Sequence, residues 1–233
     1  MQTDHPVVSR PQWNLAREAL LRREKELTHA QDALARDRMA LPWVKVEKAY
    51  QFQDARGAHG LEHLFQGRSQ LIIYHFMFSP DWEDGCVGCS FLADHMDSAL
   101  MHLRHHDVSV VAVSRAPYAR LAAFKQRMGW DFDWYSSEGC DFNFDLGASV
   151  PKADGDVEER SGASAFFRDP DGELFHTYST FERGVERLAG AYNYLDFAPL
   201  GRNEHGPHFN LGDWVRHHDR YGDAARKACH GQG

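Results

Sequence analysis

Positive charge is in short supply in this sequence. Its 26 lysine and arginine residues stand against 34 aspartate and glutamate residues, which gives a formal net charge of −8 with histidine neutral. Proteins that bind nucleic acids or anionic lipid surfaces depend on clustered basic side chains that neutralise phosphate groups. We therefore expect neither a nucleic acid nor a membrane surface among the partners of this chain.

Long apolar runs are also missing. A membrane-spanning helix needs about 18 consecutive apolar residues or more, whereas the longest run here covers residues 71–74 and resumes after His75 only as far as residue 78. Residues 1–6 lack the basic segment that precedes an apolar segment in a secretory leader. The sequence therefore predicts a cytoplasmic protein.

Cysteine is scarce, and two of the four cysteines stand together. Four cysteines in 233 residues do not make a disulfide scaffold, but Cys86 and Cys89 form a Cys-x-x-Cys pair. In a reducing compartment such a pair is more often redox-active or metal-binding than structural. Cys140 and Cys229 have no partner at a comparable spacing, and we interpret them as bystanders.

The sequence pattern divides the chain into an arm, a domain and an extension. Apolar residues recur at three- to four-residue spacings, or multiples of them, across 11–40, which predicts an amphipathic helix that ends before Pro42. Residues 1–42 form this N-terminal helical arm, which is expected to lie on the domain or on a second copy of the chain in a homodimer. The domain covers 43–200. A partly disordered C-terminal extension covers 201–233, with order expected only over 211–221.

Strand and helix patterns alternate along the domain. Buried or paired strands are predicted at 71–78, 108–113, 163–168 and 173–179. Helices are predicted from Cys86 onward, from Pro117 to Gly129, and over 184–193. This order predicts an α/β protein with a thioredoxin-like fold, in which the cysteine pair lies between the first core strand and the helix that follows it.

The position of the cysteine pair is typical of thiol chemistry. Two cysteines three residues apart at the start of a helix project from one face, within reach of a disulfide bond. Unpaired backbone N–H groups and the helix dipole favour an anion at the first position, so we predict Cys86 as the nucleophile and Cys89 as the resolving cysteine. Glu83 and Asp84 lie just upstream and act in the opposite direction, and the sequence does not decide which effect prevails.

Three tryptophans are candidates for the lining of a substrate cleft. Trp82 precedes the cysteine pair, and Trp130 and Trp134 belong to an apolar–acidic alternation at 130–134 that predicts an exposed strand. Large apolar groups beside a thiol exclude water and bind small apolar or aromatic molecules. Packing in the core or in a dimer is the alternative interpretation. The polar stretch 151–160 is predicted to be a loop or a mobile lid.

A set of short motifs gives the sequence a family resemblance. The motifs are YHFMF at 74–78, PDW at 80–82, GCVGCSF at 85–91, VSRAP at 113–117, MGW at 128–130, DFNFD at 141–145, FHTYST at 175–180, YNYLD at 192–196 and WVR at 214–216. With these motifs and its N-terminal arm, the sequence resembles a bacterial thioredoxin-like family, the domain of unknown function 899, over nearly the whole chain.

The resemblance implies a dithiol–disulfide oxidoreductase whose substrate is not established. Thioredoxins carry a cis-proline at the start of the strand that faces the cysteine pair, where it shapes the groove for an extended polypeptide and helps to keep metal ions away. Here that strand begins at 161–165 without a proline. We predict Ser164 at the facing position, after a trans peptide bond. The partner is then a small-molecule thiol, disulfide or peroxide in preference to a protein disulfide.

Three functions compete at this stage. In the first, Cys86 and Cys89 carry out thiol–disulfide exchange without a cofactor. In the second, Cys86, Cys89 and His176 hold a metal ion, for which copper is the candidate because soft thiolates suit Cu(I). In the third, the protein is a non-catalytic binding module that keeps the fold without the chemistry. We favour the first.

Overall fold

The computed structural model describes residues 5–222. The chain divides into two units, residues 1–42 and the residues from Trp43 onward. The first unit is built on helix α1 (Arg10–Met39), in agreement with the predicted helix. The Ser9 hydroxyl and N–H both donate to Gln12 Oε1, at 2.8 and 3.1 Å, and fix the start of α1. The role of this arm as a dimer contact stays a prediction.

The second unit contains a large mixed sheet surrounded by helices. Its strands are β1 (Val44–Lys45), β2 (Phe52–Asp54), β3 (Gly57–His59), β4 (Gln70–His75), β5 (Val108–Ser114), β6 (Trp134–Ser136), β7 (Ser149–Pro151), β8 (Val157–Glu159), β9 (Gly162–Arg168) and β10 (Leu174–Phe181). Its helices are α2 (Leu61–Leu64), α3 (Val87–Ala93), α4 (Met96–His105), α5 (Tyr118–Met128), α6 (Phe142–Asp145) and α7 (Gly190–Leu195), with 3₁₀ segments at Glu182–Leu188, Leu211–Asp213 and His218–Arg220. Among residues 5–222, no helix combines the length and the apolar character needed to cross a bilayer.

The sheet topology confirms the predicted thioredoxin-like α/β fold. Over the described residues the sheet has eight strands in the order β1-β10-β9-β4-β5-β6-β2-β3. Strand β4 pairs in parallel with β5 and antiparallel with β9, and β9 pairs antiparallel with β10. A parallel βαβ unit therefore joins an antiparallel hairpin at the centre of the sheet, which is the thioredoxin-like arrangement. The end of β4 that leads to the cysteine pair lies in the middle of this sheet.

Each face of the sheet carries its own core. Strand alternation sends Leu71 and Ile73 of β4 to one face, where they pack with Phe52, Phe142 and other residues. The same alternation sends Tyr74 to the other face, where the buried residues come from α3, α4, α5 and the segment before β6. The cysteine pair belongs to this second face.

Two local predictions are wrong. The segment 130–134 is not an exposed strand: Trp130, Phe132 and Trp134 are at most 6% exposed and their rings pack together, Asp131 between them is exposed, and β6 begins only at Trp134. The stretch 151–160 is predicted as a loop or lid, but it contains most of a hairpin, because β7 pairs with β8. The Glu159 carboxylate fixes that hairpin by accepting from Arg115 Nε at 2.7 Å and Ser149 Oγ at 2.6 Å.

The described part of the C-terminal extension packs against the helix that carries the cysteines. Trp214 and Val215 lie with Phe91 of α3 in a separate apolar cluster. His217 is 3% exposed and donates from Nε2 to the Gly85 carbonyl at 2.9 Å. The expected disorder beyond residue 222, and Cys229 with it, lie outside the described residues.

Candidate active site

Met77 holds both cysteines in place. The chain leaves β4 at His75, and α3 begins directly after Cys86, as predicted. The Met77 carbonyl accepts the Cys86 N–H at 3.1 Å, and the Met77 N–H donates to Cys89 Sγ at 3.4 Å. One residue of the preceding loop therefore fixes the backbone of the first cysteine and the sulfur of the second.

The two thiols have opposite electrostatic environments. Cys86 is partly exposed, and the hydrogen bond from the Cys89 thiol lowers the pKa of Cys86 to about 7 despite burial, with the N–H groups of Cys89 and Gly88 acting in the same direction. Cys89 is 1% exposed, and burial raises its pKa well above the ordinary value. At neutral pH this pair combines an accessible, partly ionised Cys86 with a buried, neutral Cys89 thiol.

Asp84 is neutralised by two arginines. Its carboxylate accepts from Arg127 Nη1 at 2.7 Å and from Arg220 Nη2 at 2.8 Å. A carboxylate paired in this way exerts a weak field on a neighbouring thiol, since the cations cancel most of its potential. The sequence left open whether the helix N-terminus or the acidic residues before it dominate at Cys86. Because Asp84 is paired with two arginines, it does little to oppose the Cys86 thiolate.

This difference in thiol ionisation predicts selective alkylation. We expect iodoacetamide to modify Cys86 well before Cys89 at neutral pH, because only a thiolate attacks and Cys89 is buried as the thiol. The rate of Cys86 modification should rise with pH and reach half its maximum near pH 7. Peptide mapping of briefly treated protein measures both rates. Equal labelling of the two cysteines contradicts the assigned roles.

A cleft of about 550 Å³ opens over the cysteine pair. Its apolar lining includes Met77, Phe91, Leu92, Val185, Phe209 and Leu211. Its charged lining consists of Glu158, Glu159, Glu182, Glu186, Glu204, Arg160 and Arg183. Carboxylates therefore outnumber guanidinium groups in the described lining by five to two. The cleft is an apolar pocket of small-molecule size with an acidic rim.

The tryptophans predicted to line this cleft lie elsewhere. Trp130 and Trp134 are buried in the core, where their indole N–H groups donate to Asp94 Oδ1 at 2.8 Å and Ser114 Oγ at 3.0 Å. Trp82 is 38% exposed and lies in the loop before the cysteines, outside the cleft lining. Core packing, the alternative interpretation, holds for the two buried rings. The aromatic residues of the described lining are Tyr74, Phe91, Tyr192 and Phe209.

Ser164 and His176 lie on the face of the sheet opposite the cysteines. Ser164 pairs with Ile73 and His176 with Phe166, and both partners belong to the other core. The Ser164 hydroxyl bonds to His75 Nε2 at 2.7 Å and to Ser179 Oγ at 2.6 Å, and His176 Nε2 bonds to Ser179 Oγ at 2.7 Å. The predictions that Ser164 faces the thiols and that His176 joins them at a metal are therefore wrong.

Ser161 occupies the position that was predicted for Ser164. It precedes β9, lines the cleft, and bonds through its hydroxyl to the Tyr74 hydroxyl at 3.0 Å. Tyr74 in turn lies with Cys89 in the buried cluster of this face and in the lining of the cleft. Over residues 5–222 all peptide bonds are trans, including the bond before Ser164.

One cluster of metal-ligand type occurs in the described chain, and it is remote in sequence from the cysteines. The ligand atoms of Asp54, His59 and His63 lie within 4.8 Å of one another. The Arg56 guanidinium already bonds to Asp54 Oδ2 at 2.7 Å and to His63 Nε2 at 3.0 Å. The Arg56 guanidinium cation therefore already bonds to two of the three candidate metal ligands.

The C-terminal extension supplies part of the site that the sequence did not reveal. Leu211 lines the cleft and lies over Gly88, where a Cβ atom would stand 3.1 Å from Leu211 Cδ1. A residue without a side chain between the two cysteines thus permits close packing of the extension. The one indication of this contribution to the cleft in the sequence was that residues 211–221 were expected to be ordered.

The match to a family model decides the relationship of this chain. Residues 2–221 match the bacterial protein family of unknown function DUF899. The chain is a DUF899 protein. The family resemblance inferred from the motifs is thereby confirmed, and no curated protein matches the sequence.

Solved structures similar to this DUF899 protein include peroxidoxin BcpB from Mycobacterium tuberculosis, with 14% identity, a TM-score of 0.45, and coverage of 66% of this chain and 97% of that one. They also include Xanthomonas campestris peroxiredoxin Q, with 16% identity, a TM-score of 0.43, and coverage of 62% and 86%.

Proposed function

We propose that this DUF899 protein is a dithiol–disulfide oxidoreductase that acts on low-molecular-weight disulfides, with Cys86 as nucleophile and Cys89 as resolving cysteine. The observation that carries the proposal is the pair of opposed thiols. Cys86 opens on the cleft with a lowered pKa, and Cys89 lies buried behind it with a raised pKa. This division of roles is what sequential thiol exchange requires.

The reaction proceeds in two exchanges. The Cys86 thiolate attacks one sulfur of the substrate R–S–S–R, forms the mixed disulfide Cys86–S–S–R, and releases one thiolate. Cys89 then loses its proton and attacks Cys86 Sγ, so that the Cys86–Cys89 bond forms and the second thiolate leaves. The protein dithiol is oxidised by two electrons, and the substrate becomes two thiols after each thiolate takes a proton from solvent. Two equivalents of an external thiol restore the dithiol by the reverse exchange, and they leave joined as a disulfide.

The dimensions of the cleft support a small substrate. A concave pocket of about 550 Å³ suits a molecule of a few dozen atoms rather than a folded protein surface. Ser161 precedes the strand beside the thiols and Gly162 begins it, and neither is a proline, so the rigid element that shapes the polypeptide groove of thioredoxins is missing from this position. Both observations favour low-molecular-weight disulfides.

Intact mass analysis tests the proposal. Reduced protein is mixed with bis(2-hydroxyethyl) disulfide, quenched in acid and weighed, and a parallel sample receives hydrogen peroxide. We expect loss of two hydrogens and a peptide map that joins Cys86 to Cys89, faster with the disulfide. Copper or zinc present in equimolar amount in the purified protein contradicts the proposal in favour of a thiolate metal site. An unchanged mass with both oxidants favours a binding module without redox chemistry.

The acidic rim predicts a charge preference among substrates. We expect cystamine, which is dicationic, to react about tenfold faster than the neutral bis(2-hydroxyethyl) disulfide, and anionic glutathione disulfide to react more slowly than either. Glu158 and Glu204 produce this order by Coulomb attraction and repulsion, since the other three lining carboxylates are paired with arginines. Initial rates over a range of salt concentrations measure it. The differences should shrink as salt rises, and an order that salt does not alter contradicts an electrostatic origin.

A further inference from the structure

The resolving step of the proposed reaction faces a proton problem. Cys89 must lose its proton before it attacks, yet its side chain is 1% exposed and burial favours the neutral thiol. Water in the cleft does not reach this sulfur freely. A group in contact with Cys89 therefore has to accept the proton and carry it outward.

Three groups act on the Cys89 sulfur, and they differ in what they can do. The Met77 N–H is a donor only and cannot accept a proton. The Cys86 sulfur is committed to the mixed disulfide at this stage of the reaction. The Tyr74 hydroxyl both donates and accepts, and Tyr74 lies with Cys89 in one buried cluster and in the lining of the same cleft, where its hydroxyl acts on the thiol. Of the three, Tyr74 alone is able to pass a proton on.

Tyr74 is also connected to the cleft. Its side chain is 2% exposed in the core beneath the cysteine pair, and its hydroxyl lies 3.0 Å from Ser161 Oγ. Ser161 is partly exposed and lines the cleft. A thiol and two hydroxyls thus form a continuous chain from the buried sulfur to the cleft.

We propose that Tyr74 and Ser161 form the proton exit of the resolving cysteine, with Tyr74 as a catalytic residue that touches the reacting sulfur. This inference rests on the proposed function. As Cys89 Sγ attacks Cys86 Sγ, its proton moves to the Tyr74 oxygen, the Tyr74 proton moves to Ser161 Oγ, and the Ser161 proton moves to water in the cleft. The Cys86–Cys89 bond forms, and the bond from Cys86 to the substrate sulfur breaks with release of a thiolate.

After the transfer Tyr74 still stabilises the site. The proton received from Cys89 lies on the Tyr74 oxygen and points at the new thiolate, so Tyr74 now donates a hydrogen bond to it. No tyrosinate is formed at any point, in keeping with the buried position of the ring. The same hydroxyl therefore carries the proton away and favours the anion that attacks.

Tyr74→Phe tests the exit in the full chain. The variant and the wild type are mixed with bis(2-hydroxyethyl) disulfide, quenched at intervals and weighed, so that formation and decay of the mixed disulfide are followed separately. We expect formation at the wild-type rate and decay about a hundredfold slower, within the usual contribution of proton-transfer catalysis. The pH at which decay is half-maximal should also move upward, because Cys89 has lost a donor to its thiolate. Impaired packing alone does not move that midpoint.

Two controls keep the test decisive. Tyr135→Phe removes a hydroxyl from a buried tyrosine on the other core and should decay like the wild type. Ser161→Ala keeps Tyr74 and its packing, and should slow decay about tenfold, with Ser161→Thr restoring it. This pair decides the question if Tyr74→Phe does not fold.

The possible failures are distinguishable. Decay in Tyr74→Phe at the wild-type rate with an unshifted midpoint overturns the exit and leaves the proposed function standing. Ser161→Ala decaying as fast as the wild type overturns it as well. If no mixed disulfide forms in the wild type or in Cys89→Ser, the proposed function itself is overturned.

Discussion

Cys86→Ser is expected to abolish oxidation of the protein by bis(2-hydroxyethyl) disulfide, with a rate at least about a thousandfold lower. A serine hydroxyl is not ionised near pH 7, whereas the environment of Cys86 stabilises a thiolate there. Cys89→Ser is expected to react at its first step and then stop, because the mixed disulfide on Cys86 has no second thiol to displace it. Intact mass with time-resolved acid quenching measures both outcomes.

Cys140→Ser provides the matched control for these variants. Cys140 is partly exposed, like Cys86, but it packs against the other core of the sheet, and its sulfur accepts the Gln51 N–H at 3.5 Å. This variant should form the Cys86–Cys89 bridge at the wild-type rate. A bridge to Cys140, or a stable mixed disulfide in Cys86→Ser, contradicts the roles assigned to the pair.

His75→Phe is expected to remove a large part of the loss of folding stability that sets in below about pH 6.5. His75 is 1% exposed, and burial, with a smaller effect from neighbouring His176, lowers its pKa from 6.5 to about 3. The unfolded chain therefore takes up a proton first as the pH falls. The free energy of unfolding should decline below about pH 6.5 and continue to decline toward pH 3, by about 5 kcal/mol in total.

Denaturant unfolding at a series of pH values checks this expectation. Phenylalanine suits a site between Phe142 and Phe181, and Ser164 keeps its bond to Ser179 after the change. The cost near pH 7 should be about 1 kcal/mol, since one hydrogen bond is lost. His105→Gln, at an exposed position of α4, should leave the pH dependence intact. If the free energy of unfolding of His75→Phe declines below pH 6.5 as steeply as that of the wild type, His75 is not the source of this acid sensitivity.

The fold and the position of the thiols were predictable from the sequence because their signals are local. A continuous apolar run marks β4, and the cysteine spacing marks the start of α3. Which of the opposing effects prevails at Cys86 was not predictable, since it depends on where the Cys89 thiol and the N–H groups of Cys89 and Gly88 lie relative to the Cys86 sulfur. The pairing of Asp84 with Arg127 and Arg220, 43 and 136 residues away along the chain, was not predictable either, because ion pairs at such separations leave no pattern in the sequence.

The lining of the cleft was not predictable for two reasons. An apolar–acidic alternation such as 130–134 looks the same whether the rings face solvent or one another, and here the rings of Trp130, Phe132 and Trp134 pack together in the core. The strand beside the thiols was located correctly, but its register was not. Ser161 rather than Ser164 lies at the cleft, and pairing partners decide that choice.

The sheet ends at both sides on very short strands. β1 has two residues and β3 has three, and each pairs along its length with its inner neighbour. A strand from another chain would find few consecutive free N–H and C=O groups on either margin. The eight-stranded sheet therefore resists growth by edge-to-edge addition. Its long inner strands are paired with neighbours on both sides, which protects a protein of this β content from aggregation.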